Sequence, residues 1–265
     1  MLVWTRRGKA VVLAVFALVV LVVFVAPFAT VGAAAFAGHW TGALPSDLGF
    51  ANLGRALSGE QAASLSVSLQ TALLAGAISL VLGTWAALAA QEAPSWWRRC
   101  TDAVFHLPVA VPSVAVGLGV LIAFNGQPLL LGGTKWIVIL AHSVLVLAYA
   151  FSAVAAALDR IDPAYRQAAE SLGAGPVRVL CQVTLPLLLP ALGAAAGLAV
   201  ALSMGELGAT IMVYPATWKT LPVSIFTQTD RGEVFDAAAT TTVLVLVTLT
   251  ALILLGRLRG RAALR

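Results

Sequence analysis

Apolar residues occur along this chain in long unbroken blocks, without the helical or two-residue alternation of half-buried elements. Six blocks stand out, at about residues 10–33, 64–90, 107–124, 136–158, 187–210 and 237–256. A helix needs roughly 20 apolar residues to cross a bilayer, and each block approaches that length. Helices are expected because a backbone in lipid must satisfy its own hydrogen bonds. A membrane barrel would show short alternating segments, and the sequence has none. The pattern predicts an all-α polytopic membrane protein with about six transmembrane helices, forming a single domain over residues 1–265.

The polar stretches between the blocks carry most of the remaining information. Residues 159–186 read as an insert built of two short helical segments. Asp162-Pro163 is a helix start, a capping carboxylate followed by proline at the first helical position. Arg166 and Glu170 are four apart and can pair. Gly173, Gly175 and Pro176 break the segment, and Val177, Leu180 and Val183 give the second piece an apolar side. Isolated helices shorter than about 12–15 residues are marginal in water, so these pieces need a partner. Ala168 and Ala169 keep one face thin enough for a groove on another protein; a loop packed on its own helix ends is the plainer reading.

The stretch 211–236 is too polar to span and reads as a long loop. Tyr214, Lys219, Asp230 and Arg231 are its candidates for docking a partner. The earlier stretch 37–62 has weak helical character at 50–58 and no motif, and Trp40 reads as an interface marker.

Composition agrees with the block pattern: 60 % of residues are hydrophobic and 10 % charged, against about 25 % charged in soluble domains. The net charge of +5 does not indicate nucleic acid, because the basic residues sort by membrane side. With a cytoplasmic N-terminus only Arg55, Lys135, Lys219 and Arg231 fall outside, leaving twelve of the sixteen Lys and Arg inside. That asymmetry places both termini and the 159–186 insert in the cytoplasm. Arg6, Arg7 and Lys9 resemble the start of a signal peptide, but the apolar run exceeds the ~7–15 residues of such a signal and reads as a retained span. Cys100 and Cys181 fall in cytoplasmic loops without metal-ligand spacing, so neither a disulfide nor a metal site is expected.

Within the spans, Ala72, Gly76, Ser79 and Gly83 share one face of the second helix, a surface for close helix packing. The third span opens at Leu107-Pro108, and Pro112 is placed to kink it. His142 is a lone titratable group in the fourth span. It is either a site on the transport pathway or a neutral imidazole bonded to a neighbouring helix. Glu206 is the one carboxylate placed inside a span and, with Ser203 and Thr210, marks a candidate pathway or gate. No phosphate-binding Gly-x-x-x-x-Gly-Lys-Ser/Thr, His-Glu-x-x-His or Ser/His/Asp set occurs, so no catalytic residue is assigned.

The run Gln167-Ala168-Ala169, Gly173, Val183, Leu185-Pro186 resembles the cytoplasmic loop of ATP-binding-cassette importer permeases. That loop reads Glu-Ala-Ala, three residues, Gly, nine residues, Ile, one residue, Leu-Pro. The resemblance covers most of the chain and implies the type I (MetI-like) importer transmembrane domain, in the bacterial inner membrane. It implies that Gln167, Ala168, Ala169, Glu170, Leu172, Gly173, Val183, Leu185 and Pro186 seat against a separate ATPase. Gln167 stands where the family has its leading Glu and cannot supply a charge-assisted contact; Glu170, one turn on, is placed to serve instead. The implied partners are the lipid bilayer, two ATPase subunits carrying ATP and Mg, a second permease chain (identical or different) and an extracytoplasmic substrate-binding protein. No cofactor belongs to this chain itself.

Residues 205–212 and the continuation to Glu233 are similar to the branch importing oxyanions, most of all to 2-aminoethylphosphonate permeases. Permeases for sulfate, molybdate, phosphate or Fe(III) are the alternative. A stand-alone secondary transporter, with Glu206 and His142 as ion sites, would be expected to show inverted repeats, which the sequence lacks.

Overall fold

The computed structural model describes residues 5–42 and 44–262. Among these the regular structure is helical: α1 (Arg6–Val20), α2 (Ala26–Phe36), α3 (Ala51–Ala56), α4 (Gly59–Gln91), α5 (Ser95–Ala110), α6 (Ser113–Phe124), α7 (Lys135–Leu158), α8 (Pro163–Ser171), α9 (Pro176–Val179), α10 (Leu185–Met204), α11 (Gly208–Val213), α12 (Leu221–Asp230) and α13 (Val234–Ala262). Five continuous helical stretches are long and apolar enough to cross a membrane, and a sixth span results if α5 and α6 count as one broken crossing.

Two of these spans contain a π-helical turn, at Leu21–Val25 and Leu180–Thr184. Each turn runs up to a proline, Pro27 or Pro186. A proline removes an N–H and crowds the carbonyl four residues back. A wider turn absorbs both defects without ending the helix. As a result α9 and α10 form one continuous 29-residue helix, Pro176–Met204. The second half of the insert is therefore the root of a span, which corrects the expectation of a separate short helix.

The third span also differs from expectation. The helix does not open at Leu107-Pro108; it begins at Ser95, and Pro108 lies inside its last turn. The chain turns by 106° between α5 and α6, where Val111 is extended and Pro112 caps the next helix. Proline forces the residue before it out of helical geometry, so the expected kink is a full break. The 211–236 stretch, expected as a loop, holds α11, a turn of 3-10 helix at Ala216–Trp218, α12 and the start of α13.

The described residues fall into two compact units, one of residues 5–62 and 224–243 and one of 63–223 and 244–262. In the first, Asn52 clamps the end of α2 by donating to the carbonyls of Ala35 (3.2 Å) and Ala37 (2.9 Å). Arg55 donates to Asn52 Oδ1 (2.6 Å) and pairs with Asp236 (2.8 Å). Trp40 is half-buried beside this folded loop.

The second unit holds the packed core. The predicted small-residue face of α4 is buried, with Ala72 and Ser79 fully so. A Cβ on Gly83 would stand 2.8 Å from the Phe151 backbone nitrogen, so α4 and α7 touch backbone to backbone there. Ser79 Oγ donates to the Ser143 carbonyl (2.9 Å) across the same contact. Between α6 and α11 the approach is closer still, since a Cβ on Gly117 would lie 2.6 Å from the Ala209 carbonyl oxygen. The Phe105 and Phe151 rings stack at 4.6 Å and join α5 to α7. Ala72, Val200 and Met204 form a cluster with Leu244, Val247, Ala251 and Leu255 of α13.

Candidate functional site

Two regions carry the sequence-predicted site residues. The first is the insert. Asp162 Oδ1 accepts the Ala164 N–H at 2.9 Å, and Pro163 opens α8 as expected. Gly173 has φ +82°, the left-handed conformation that a helix C-terminus takes most cheaply with glycine. Its N–H reaches the Glu170 carbonyl (2.9 Å), and the Ala174 N–H reaches that of Ala169 (3.0 Å). Gly175 is extended and Pro176 restarts the helix. Val179 is buried at this root, an anchor that the apolar set Val177, Leu180 and Val183 missed.

Among the described residues, nothing covers the outer side of α8. Gln167, Ala168 and Glu170 are exposed and Ala169 is half-buried. Leu172 is 89 % exposed and Val177 73 %. Large apolar side chains presented together with a thin alanine face mark an interaction surface. The insert is braced from below. Arg166 pairs with Glu170 at 3.7 Å, as expected, and also with Glu92 at the end of α4, at 3.2 Å. Arg98 of α5 pairs with Asp159 at 2.7 Å. The sequence offered no route to these two long-range pairs, since nothing in it says that residues 92 and 166 are neighbours. Val183 and Leu185 are half-buried and Pro186 exposed, in and after the π turn.

The second region is a buried polar cluster, and it gathers all four candidate pathway residues. His142 Nδ1 lies 2.7 Å from Ser203 Oγ, and Nε2 lies 2.7 Å from Thr210 Oγ1. The Thr210 hydroxyl donates to the Glu206 carbonyl (3.2 Å) and therefore accepts from Nε2–H. The Ser203 hydroxyl then donates to Nδ1. A neutral imidazole completes this relay, with the tautomer set by the bonds around it. The relay ties α7 to both sides of the break between α10 and α11. Glu206 sits in that break, and its Oε1 accepts the Ala209 N–H at 2.7 Å, capping α11 as an acidic residue at a helix N-terminus does. His142, Ser203 and Glu206 also line a cavity of about 230 Å³ with Pro108, Ser113 and Tyr149. His142 and Glu206 are both hydrogen-bonded structural groups, and both face a cavity beneath the α5–α6 turn.

The docking candidates do not all stay on the surface. Tyr214 is half-buried, packed against the cluster of Val120, Ile137, Val138 and Val213. Asp230 and Arg231 are exposed at the end of α12, while Lys219 is half-buried and has a partner. Trp218, not singled out from sequence for this role, is the anchor of its segment. Its Nε1 donates to Thr71 Oγ1 (3.0 Å), and Lys135 Nζ lies 5.4 Å from its ring centroid. The Leu221 N–H donates to Ser68 Oγ at 2.7 Å. Cys100 and Cys181 are free thiols.

The broken span, the pair of helices interrupted around a polar cluster and the exposed insert define a polytopic transport permease. Residues 79–262 match the family described as binding-protein-dependent transport system inner membrane component. The chain belongs to that family, the membrane subunits of ATP-binding-cassette importers, and is a multi-pass inner-membrane protein. A Salmonella typhimurium (strain LT2) permease named for 2-aminoethylphosphonate transport, PhnV, is 43 % identical over 261 residues, covering 98 % of each chain. The molybdenum transport permease ModB of Escherichia coli (strain K12) is 34 % identical over 183 residues, covering 63 % of this chain and 80 % of ModB. In fold, the chain is similar to a subunit of a bacterial alginate ABC transporter, with TM-score 0.76 at 16 % identity, covering 97 % of this chain and 95 % of that one. It is also similar to a chain of the MetNI methionine ABC transporter, with TM-score 0.62 at 16 % identity, covering 75 % and 94 %.

Proposed function

We propose that this chain is the passive membrane gate of an importer for 2-aminoethylphosphonate or a closely related phosphonate, driven by ATP hydrolysed on a separate subunit. The observation that carries the coupling part is the uncovered α8 surface, Ala168, Ala169 and Leu172, ending at the left-handed Gly173. Near full-length identity to PhnV carries the substrate part. Both termini and the insert face the cytoplasm in this reading, following the twelve-to-four distribution of basic residues.

The insert seats in a cleft of the ATPase, with Gln167 and Glu170 as polar contacts and Leu172 as the apolar one. Closure of two ATPases on ATP and Mg draws two inserts together, one from each permease chain. The force enters α10 directly, because α9, the π turn and α10 are one helix. At its far end lie Ser203 and Glu206, where the His142 relay holds α10 to α7 and α11. Displacement of α10 loads that relay, so the cluster is the element of the gate that the insert works against. An external binding protein delivers the cargo, with the exposed Asp230 and Arg231 among its contacts.

The test is ATP hydrolysis by the purified complex of permease, ATPase and binding protein. Addition of 2-aminoethylphosphonate should raise the rate. The partial likeness to ModB favours a second reading, another oxyanion; a rate that rises with molybdate, sulfate, phosphate or Fe(III) instead would select it. Failure of the permease to co-purify with any ATPase would remove the proposal.

A further inference from the structure

Two polar side chains of α12 take no part in the contacts described above. Ser224 and Gln228 are four residues apart, so they share one face of the helix. They are 1 % and 6 % exposed, whereas Phe226, on the other side of the helix, is 47 % exposed. Ser224 Oγ and Gln228 Oε1 have no hydrogen-bond partner among the described residues. Nearby hydroxyls have found one, because Thr229 donates to the Ile225 carbonyl (2.9 Å) and Thr241 to that of Ala237 (2.7 Å). Ser224 does not take that local outlet.

Buried polar side chains are bonded in the large majority of cases, and each exception calls for a cause. Apolar residues of similar shape would hold a purely structural helix here without the penalty. Inside a membrane protein, uncompensated polar groups face the bundle interior or a water-filled path. The chemistry of the pair narrows what they meet. An amide oxygen only accepts, so the partner missing at Gln228 Oε1 carries an N–H or O–H, and the Ser224 hydroxyl can accept from the same donor. A fully ionised oxyanion has none to offer; water and an alkylammonium group do.

We propose that the Ser224–Gln228 face of α12 lines the cargo path, closed off in this conformation, and opens in the alternate access state to a hydrogen-bond donor, either water or the ammonium of an aminoalkylphosphonate. The inference rests on the importer reading above.

Single cysteines, Ser224→Cys and Gln228→Cys, test it in a Cys100→Ser, Cys181→Ser background with the ATPase and binding protein present. Their reaction with a charged, membrane-impermeant methanethiosulfonate is timed without nucleotide and after trapping with ATP and vanadate. The rates should differ between the two states by about tenfold or more, while Phe226→Cys, on the exposed side of α12, changes by less than about twofold. Slowing by 2-aminoethylphosphonate in the reactive state assigns the donor to the cargo ammonium; no slowing assigns it to water. Equal rates in both states, fast or slow, overturn the proposal. If the parent complex shows no cargo-stimulated ATP hydrolysis, the importer reading fails and takes this inference with it. Stimulated hydrolysis with inert thiols removes the inference alone.

Discussion

The insert around α8 and the cluster around His142 both interrupt apolar helices with polar residues, but they handle those residues in opposite ways. Around α8 the side chains are exposed, the charges pair at the surface, and apolar Leu172 and Val177 are uncovered. Around His142 the side chains are buried, every ring nitrogen has a partner, and the short helix α11 is capped from within by Glu206. A surface left incomplete within its own chain is completed by another protein. A site already complete resists motion until something pulls on it. In the proposed importer these are the two jobs of a driven gate, receiving force and holding position, at opposite ends of the helix Pro176–Met204.

Substitutions sharpen this contrast. The largest effect is expected at the insert. Leu172→Asp should reduce ATPase co-purification by about 30-fold or more, as loss of a 2 kcal/mol interface anchor does, and abolish ATP-driven uptake. The melting temperature of the permease alone should stay the same. Ala169→Trp should act likewise, overpacking the seat by roughly 1–3 kcal/mol. A melting temperature that falls with either change would mean that the surface is structural.

The reverse pattern is expected inside the membrane. Gly117→Val puts a side chain where the Ala209 carbonyl lies, 2.6 Å from the first added carbon, and should destabilise the fold by about 1–3 kcal/mol. Thermal unfolding in detergent would show this as a lower midpoint. His142→Leu strands the Ser203 hydroxyl at a cost of roughly 1–3 kcal/mol, while Thr210 keeps its bond to the Glu206 carbonyl. Its midpoint should drop while ATPase binding is unaffected, and a glutamine at the same position should recover part of the loss. The smallest effect belongs to the brace beneath the insert. Arg166→Ala removes exposed pairs with Glu92 and Glu170 and should cost no more than about 1 kcal/mol. A double-mutant cycle with Glu92→Gln would measure it.

How far these regions could be read from sequence follows the same division. The insert is built from local rules. Asp162 capping, proline at the first position and glycine at the C-terminus each act within a few residues, and the structure shows all three. The buried cluster depends on which helices meet. His142, Ser203, Glu206 and Thr210 were each conspicuous as polar groups in apolar runs, yet the ring that joins them spans 61 and 68 residues. No spacing rule reaches that far. The misreadings have local causes as well. Pro112 was read as a kink and is a break, because it sets its neighbour Val111 in extended geometry. The segment opened by Pro176 was expected as a separate short helix, but a π turn carries it past Pro186 into α10. The 211–236 stretch looked like a loop because its polar residues hide short helices held by Trp218 and Ser68. Tyr214 is half-buried for the same reason.

The claim beneath all of this is that the chain does no uphill work unless the insert is pushed. It is tested most directly by uptake of radiolabelled 2-aminoethylphosphonate into sealed vesicles containing the permease, with ATPase and binding protein either present or omitted, and with or without an imposed proton or sodium gradient. The account predicts accumulation only when all three proteins and ATP are present, and none with Leu172→Asp. Accumulation by the permease alone, driven by a proton or sodium gradient, would contradict it.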